Sequence, residues 1–104
     1  MNLRQMEYLL MIVETRNISR AAERCYISQS GMSQQLASME RELGAALFRR
    51  VNNELCPTRE GEIYIRYARE ILGLHARARR ELEECSRPAK RRILIGVSPE
   101  RGNA

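Results

Sequence analysis

Residues 18–43 read ISRAAERCYISQSGMSQQLASMEREL, and this stretch contains two helical patterns separated by a four-residue break. Before the break, apolar residues recur at helical spacing at Ile18, Ala21, Ala22 and Cys25. Ser19 stands where an N-cap residue is expected, and the break covers residues 26–29. After it, apolar residues recur at intervals of four, three and four at Met32, Leu36, Met39 and Leu43. Two short helices joined by a tight turn predict a helix-turn-helix.

The second predicted helix carries amide and hydroxyl groups away from its apolar stripe. Gln can pair with adenine through N6 and N7, and Ser hydroxyls reach base edges or phosphates. Backbone N–H groups at a helix N-terminus bind phosphate oxygens, and Ser28 is expected to cap this end. The candidates for reading DNA bases are Gln29, Ser30, Ser33 and Gln34. Taken alone, these residues fit a solvated helix face equally well.

Further motifs follow at defined spacing. The full pattern is Ala21-Ala22, Ser28-Gln29, Ser33, Leu36 through Met39-Glu40 to Leu43-Gly44, Leu47-Phe48 with Arg50, and Thr58 with Gly61. It resembles the N-terminal winged helix-turn-helix domain of LysR-type transcriptional regulators, and the resemblance covers residues 1 to 96. It implies a mainly α fold, with three helices and a two-stranded wing followed by a long linker helix. It also implies sequence-specific binding to double-stranded DNA.

Some positions depart from the family pattern. Ser30 stands where the family usually has Pro, and Gln34 stands where it usually has Arg. Gln34 keeps hydrogen-bonding capacity without a charge, so an unusual preferred DNA sequence is expected. In the wing, Pro57 and Glu60 replace the usual Leu and Ala, and the second strand must end or lie at an edge before Thr58.

The segments on either side of the helix-turn-helix complete the predicted domain. A first helix is predicted over residues 3–15, ending near Arg16, with its apolar side at Leu3, Met6, Leu9, Leu10 and Val13. Gly44 is expected to end the recognition helix in the left-handed conformation, while Leu47 and Phe48 fill the core. Residues 49–58 are predicted as a two-stranded wing whose tip is residues 51–54. Contacts with the DNA backbone are expected from Arg4, Ser28, Arg49, Arg50, Thr58 and Arg59, although Arg50 would also suit a surface salt bridge.

A long helical pattern begins at Thr58 and meets only Gly73 as a breaker before Pro88, so it extends about 28 residues, on the order of 40 Å. Its candidate dimer-interface residues are Tyr64, Tyr67, Ile71, Leu74, Ala78 and Leu82. A core of about 60 residues cannot cover this much apolar surface, which predicts a homodimer. The alternative is that only the first two turns pack within the chain. The resemblance implies antiparallel pairing of two linker helices and an inverted-repeat operator, with half-sites roughly 34 Å apart.

The composition changes after Pro88. Residues 87–92, RPAKRR, form a basic hinge, and residues 93–97, ILIGV, are predicted as a strand. In full-length relatives the effector-binding domain begins here. The resemblance therefore predicts three segments: residues 1–58 as the winged helix-turn-helix, 59–87 as the linker helix, and 88–104 as the hinge with a truncated first strand. A tetramer is expected only with the missing effector domain.

Length and charge are those of one small domain. The 104 residues are 43% hydrophobic and carry a net charge of +5. Residues 1–60 hold eight Arg against seven Glu, whereas residues 87–92 alone hold four cations, so bulk charge is a weak argument for a polyanionic partner. No run is long enough to cross a membrane and no signal peptide is present, which predicts a cytoplasmic protein. The resemblance implies that it is bacterial and nucleoid-associated.

Catalytic and metal chemistry find little support in the composition. Cys25, Cys56 and Cys85 are widely spaced and His75 is the single histidine, so neither a zinc site nor a disulfide framework is indicated. Asp is absent, and no glycine-rich phosphate loop occurs. We therefore expect no enzyme, cofactor or metal. The remaining alternative to DNA binding is a protein–protein interaction module whose Gln/Ser face is merely solvated.

Overall fold

The computed structural model describes residues 1–86, which form helices and one antiparallel pair of strands. The elements in chain order are α1 (Leu3–Thr15), α2 (Ile18–Arg24), α3 (Gln29–Leu43), β1 (Phe48–Val51), β2 (Glu54–Pro57) and α4 (Arg59–Cys85). The predicted winged helix-turn-helix followed by a long helix is confirmed. The predicted basic hinge and the strand over residues 93–97 lie outside the described residues.

Side-chain caps explain where the first two helices begin. Asn2 accepts a hydrogen bond from the Gln5 N–H at 2.8 Å, and Gln5 accepts one from the Asn2 N–H at 3.1 Å, which is a capping box. Asn17 has extended backbone and accepts from the Arg20 N–H at 2.9 Å. The prediction that Ser19 caps α2 is wrong, because Asn17 provides the cap and Ser19 is already inside the helix.

The turn between α2 and α3 ends one residue earlier than the sequence predicts, since Gln29 already belongs to α3. Tyr26 adopts a left-handed conformation with φ of 60° in this turn. Ser28 caps α3 as predicted. Gly44 ends the helix with φ of 72°, a conformation that costs glycine little, and this prediction is also confirmed.

The core lies where α1, α2 and α3 pack together. Leu9, Ile12, Met32 and Met39 are fully buried, and the predicted core residues Leu47 and Phe48 are buried beside them. Burial of each such side chain contributes about 1.5–3 kcal/mol. On α1 the buried face is centred on residues 9 and 12 and includes Tyr8, rather than following the predicted stripe. The reason is that both α2 and α3 pack against α1.

The wing is a β-hairpin with a two-residue turn, and it is hydrogen-bonded to the end of α1. Asn52 and Asn53 have φ values of 54° and 66°, which suit the tight turn that joins right-twisted strands. β2 ends at Pro57, as predicted. The Leu55 N–H donates to the Arg16 carbonyl at 3.0 Å, and this backbone bond fixes the position of the wing.

The start of α4 packs closely against the segment before β1. The Thr58 hydroxyl donates to the Ala46 carbonyl at 2.6 Å and accepts from the Gly61 N–H at 2.9 Å. A Cβ atom on Gly61 would lie 2.0 Å from the Leu47 carbonyl oxygen, so only glycine fits. Ile65 is also buried, and the first compact unit extends from Met1 to Leu72. The second unit begins at Gly73, and its described residues, 73–86, are solvent-exposed.

Candidate nucleic-acid interface

The N-terminal end of α3 has backbone hydrogen-bond donors without an acceptor among the described residues. The Ser28 side-chain oxygen accepts from the Gly31 N–H at 2.9 Å and lies 3.3 Å from the Ser30 hydroxyl oxygen. Within residues 1–86, the backbone N–H groups of Gln29 and Ser30 have no acceptor. Such N–H groups carry the positive end of the helix dipole, so this end of α3 is able to bind an anionic oxygen.

Four polar side chains of α3 share one exposed face. They stand at positions i, i+1, i+4 and i+5, which span roughly 140° around a helix, and they are Gln29, Ser30, Ser33 and Gln34. The other side of the helix is buried through Met32 and Met39. The structure therefore brings the four candidate residues together on the surface, and their reading of bases stays a prediction.

Two side-chain hydrogen bonds connect α3 to neighbouring helices. Gln5 of α1 donates from Nε2 to the Gln35 Oε1 at 3.2 Å. Ser19 of α2 donates from its hydroxyl to the Gln29 Oε1 at 2.8 Å. Sequence analysis missed this role of Ser19, because local patterns do not reveal a contact across a turn. Gln29 is thus the candidate residue whose side-chain position is fixed by a second helix.

The two wing arginines lie on opposite faces of the strand pair. Arg49 is opposite Cys56 and Arg50 is opposite Leu55, and adjacent residues of a strand point to opposite faces. Both side chains are exposed. In the part of the chain that the structure describes, neither has a carboxylate within 4.0 Å. The salt bridge considered for Arg50 therefore does not form within these residues.

The remaining candidates for backbone contacts are Arg4, Thr58 and Arg59. Arg4 Nε lies 3.8 Å from the Glu7 carboxylate on the exposed side of α1. Thr58 already donates its hydroxyl within the protein, so this group serves the start of α4. Arg59 is the exposed first residue of α4. Over residues 1–86, no hydrogen bond or ion pair joins these three to α3.

Both units of the chain expose apolar residues of α4. In the first unit, Tyr67 and Ile71 are 49% and 38% exposed. The Arg66 guanidinium lies 5.0 Å from the centre of the Tyr67 ring. In the second unit, Leu74 and Leu82 are 59% and 68% exposed. Tyr67, Ile71 and Leu74 stand at spacings of four and three along the helix, and Leu82 follows eight residues after Leu74. Water is an unfavourable environment for such exposed apolar side chains.

Three further residues refine the predicted apolar stripe. Tyr64 is half-buried against the core, and this burial, with a smaller contribution from Glu42, raises the pKa of its phenol. Tyr64 therefore follows the alternative in which the first turns of α4 pack within the chain. Ile63 is an exposed apolar residue that sequence analysis missed. Ala78 is exposed in the second unit, as the predicted interface requires.

The cysteines show no sign of shared chemistry. All three thiols are free, with Cys25 and Cys56 half-buried and Cys85 exposed. Burial raises the pKa of the Cys25 thiol, which favours the unreactive protonated form. Among the residues that the structure describes, no three His, Cys, Asp or Glu side chains are grouped as metal ligands would be. Across the same residues, no helix combines the length and the apolar character that a membrane span requires.

Comparison with known proteins identifies the family. The family described as bacterial regulatory helix-turn-helix protein, lysR family, matches residues 3–62 of this chain. The chain belongs to the lysR family. The matched residues run from the first residue of α1 to the first turn of α4, so they include the whole α3 surface and the wing.

Individual relatives agree with this assignment. The chain is 32% identical to the nitrogen assimilation regulatory protein nac of Klebsiella aerogenes, over 95% of this chain and 32% of nac. It is 38% identical to the DNA-binding transcriptional dual regulator OxyR of Escherichia coli (strain K12), over 69% of this chain and 24% of OxyR. The lysR-family chain thus spans about a quarter to a third of the length of these curated relatives.

Solved structures show the same fold. The crystal structure of the CbnR_DBD–DNA complex superposes with a TM-score of 0.77 at 30% identity, covering 84% of this chain and 100% of that chain. The BenM_DBD complex with catB site 1 DNA superposes with a TM-score of 0.80 at 27% identity, covering 85% and 99%. Two proteins with this fold have therefore been crystallised with DNA.

Proposed function

We propose that this chain is the DNA-binding segment of a LysR-type transcriptional regulator and that it binds a specific sequence in duplex DNA. The observation that carries this proposal is the N-terminal half of α3, where uncovered N–H donors and four exposed polar side chains lie on one surface. The matched family and the DNA complexes of proteins with this fold support the same function.

In this proposal α3 enters the major groove with its N-terminus towards the DNA. An α-helix is about 10–12 Å across and the major groove is about 12 Å wide, so the helix fits. Gln29 and Gln34 each offer an amide that can pair with adenine, and Ser30 and Ser33 offer hydroxyls to base edges or phosphates. The buried Met32 fixes the rotation of α3, which keeps this polar face outward.

The wing and the helix starts supply contacts with the phosphates. Arg49 and Arg50 are exposed cations without an ion-pair partner in the described part of the chain, and Arg59 is exposed at the start of α4. Arg4 can reach a phosphate by leaving its exposed pair with Glu7, since such pairs contribute little. Thr58 is the weakest of the predicted contacts because its hydroxyl proton already has an acceptor.

The chain acts as a homodimer in which α4 pairs with α4 of a second copy. The support is the exposed apolar row, which includes Tyr67, Ile71 and Leu74. Residues 1–58 then bind DNA, residues 59–87 pair, and residues 88–104 lead towards an effector-binding domain that allows tetramers. A two-fold dimer reads an inverted repeat with half-sites about 34 Å apart. Such a regulator has no catalytic role and acts on chromosomal DNA at the bacterial nucleoid.

Selection from a random pool of duplex DNA at near-physiological salt tests this function. An enriched inverted repeat is expected, with affinity that falls steeply as salt rises. Gln29→Ala or Gln34→Ala should weaken the preferred site by about 1–3 kcal/mol and leave random DNA unchanged. A pool without an enriched motif, together with binding that is insensitive to salt, would favour the protein-interaction alternative.

A further inference from the structure

Ser19 is an exposed residue of α2 whose hydroxyl donates to Oε1 of Gln29, the first residue of α3, at 2.8 Å. This hydrogen bond crosses the turn and joins the two helices of the motif. Ser19 does not cap α2, because Asn17 does. Its side chain therefore has no role in starting the helix on which it lies.

The Gln29 side chain is otherwise free to rotate. It is exposed, and within residues 1–86 the Ser19 hydroxyl is its sole hydrogen-bond partner. A long amide side chain without a partner samples many rotamers, and ordering it on a ligand costs entropy. A side chain already held in one orientation avoids part of that cost when it binds.

The position of the hydrogen bond leaves the base-reading groups of Gln29 available. An amide oxygen has two lone pairs and the amide nitrogen has two hydrogens. Ser19 occupies one lone pair on Oε1, so the other lone pair and both Nε2 hydrogens are uncommitted. One acceptor beside one donor is the combination that pairs with N6 and N7 of adenine.

We propose that Ser19 is a positioning residue that orients the Gln29 amide for base reading and so contributes to sequence specificity without contacting a base. This inference rests on the proposed function, in which α3 reads the major groove. Its effect is confined to one base-pair position, because Ser19 acts through a single side chain.

The test compares Ser19→Ala with the original protein, using the full 104-residue chain and the site obtained by selection. The position read by Gln29 is first located with Gln29→Ala. Discrimination is then measured as the ratio of Kd values for the preferred base pair and for its replacements at that position. Ser19→Ala should lower this ratio about three- to tenfold, as expected for the loss of one neutral hydrogen bond. Affinity for random DNA should not change.

Three further variants separate positioning from other roles. Ser19→Thr keeps a hydroxyl and should restore the ratio. Ser19→Ala should have no additional effect in a protein that already carries Gln29→Ala, because the two substitutions remove the same interaction. Ser86→Ala is the matched control, since the Ser86 hydroxyl donates to the Glu83 carbonyl near the end of α4. Unfolding midpoints should stay close to that of the original protein, since Ser19, Gln29 and Ser86 are exposed and surface substitutions change stability little.

Other results overturn the inference in distinguishable ways. An unchanged ratio in Ser19→Ala, while Gln29→Ala loses discrimination, removes the positioning role and leaves the proposed function standing. Equal weakening on specific and random DNA shows that Ser19 contacts the backbone itself. Additive effects in the double variant show that Ser19 acts independently of Gln29. If the original protein selects no site, the proposed function fails together with this inference.

Discussion

Helices α3 and α4 each leave one face uncovered, but the two faces have opposite chemistry. The exposed face of α3 consists of amides and hydroxyls, beginning with Gln29 and ending with Gln34. The exposed row on α4 is apolar, with Ile71 and Leu74 among its members. Polar groups are well solvated without a partner, whereas exposed apolar surface costs about 25 cal/mol per Å². The surface on α3 is therefore stable in a single chain, whereas covering the row on α4, as in the proposed dimer, would stabilise it.

The two helices also differ in how they are attached. α3 is held in its first and third turns, since Met32 and Met39 are fully buried. α4 has its buried residues, Gly61, Ile65 and Ala68, in its first half. The described residues of α4 from Gly73 onward are solvent-exposed, so their sequence is free to serve assembly. Substitutions at the attachment of α4 and in its apolar row test this difference.

The largest effect is expected from Gly61→Ala, which disturbs the attachment of α4. The added Cβ would lie 2.0 Å from the Leu47 carbonyl oxygen, and a backbone atom cannot move without shifting β1. Overpacking of this kind should lower the free energy of unfolding by about 3 kcal/mol or more. Urea denaturation followed by circular dichroism measures it.

Gly73→Ala is the matched control for this substitution. An added Cβ on Gly73 meets nothing within 4 Å, and the residue lies inside α4. This change should leave the protein equally stable or raise its stability by up to about 1 kcal/mol, because alanine favours helix. Equal destabilisation by both substitutions would contradict the close approach of α4 to Leu47.

The second effect concerns the apolar row itself. Ile71→Glu combined with Leu74→Glu should produce monomers, because paired helices would have to bury four carboxylates. Operator affinity should fall on the order of 100-fold, since two linked half-sites bind far more tightly than one. Light scattering gives the oligomeric state, and titration of operator DNA gives the affinity.

Gly73→Glu combined with Ala76→Glu is the matched control, because it adds the same charge away from the apolar row. Both residues are exposed, and helical spacing places them on the side of α4 opposite Leu74 and Ala78. This pair should remain dimeric. A dimer that survives the first pair of substitutions, or monomers from both pairs, would exclude pairing through this row.

These contrasts also mark what the sequence was able to predict. Ser28 and Gly44 act on backbone groups within a few residues, so local patterns identified their roles. Ser19 was misassigned because Asn17 competes for the same cap, and propensity alone does not decide between two good capping residues. The sequence did not identify Ile65 as a residue of α4 that packs into the core. Apolar residues cover one side of α4, and their pattern does not show which of them is buried.

The third prediction concerns the donors at the start of α3. Ser28→Asp should keep the cap, since Asp and Ser are about equally good at this position, and the free energy of unfolding should change by less than about 0.5 kcal/mol. Affinity for DNA should nevertheless fall at least about tenfold, because the new carboxylate would face a phosphate. Thermal denaturation and binding to the selected site measure the two quantities.

Ser28→Asn is the neutral control, as it keeps the cap without a charge and should bind DNA nearly as well as the original protein. Ser28→Ala removes the cap and should cost about 1 kcal/mol of stability. If Ser28→Asp binds DNA as tightly as Ser28→Asn, the N-terminus of α3 does not face the duplex, and the contrast with α4 loses its functional meaning.

The smallest effect is expected at the wing, where the question is which face of the strand pair meets DNA. Arg50→Gln should lower the slope of log affinity against log salt by about 0.9, the value for one phosphate, and should weaken specific and random DNA alike. Arg24→Gln is the control, because it removes the same charge from the last residue of α2, which is not among the proposed DNA contacts. Arg49→Gln should differ in effect from Arg50→Gln, since the two side chains point to opposite faces. Equal losses from Arg49→Gln and Arg50→Gln would instead mean that the wing meets the duplex with its edge, so that both faces reach phosphates.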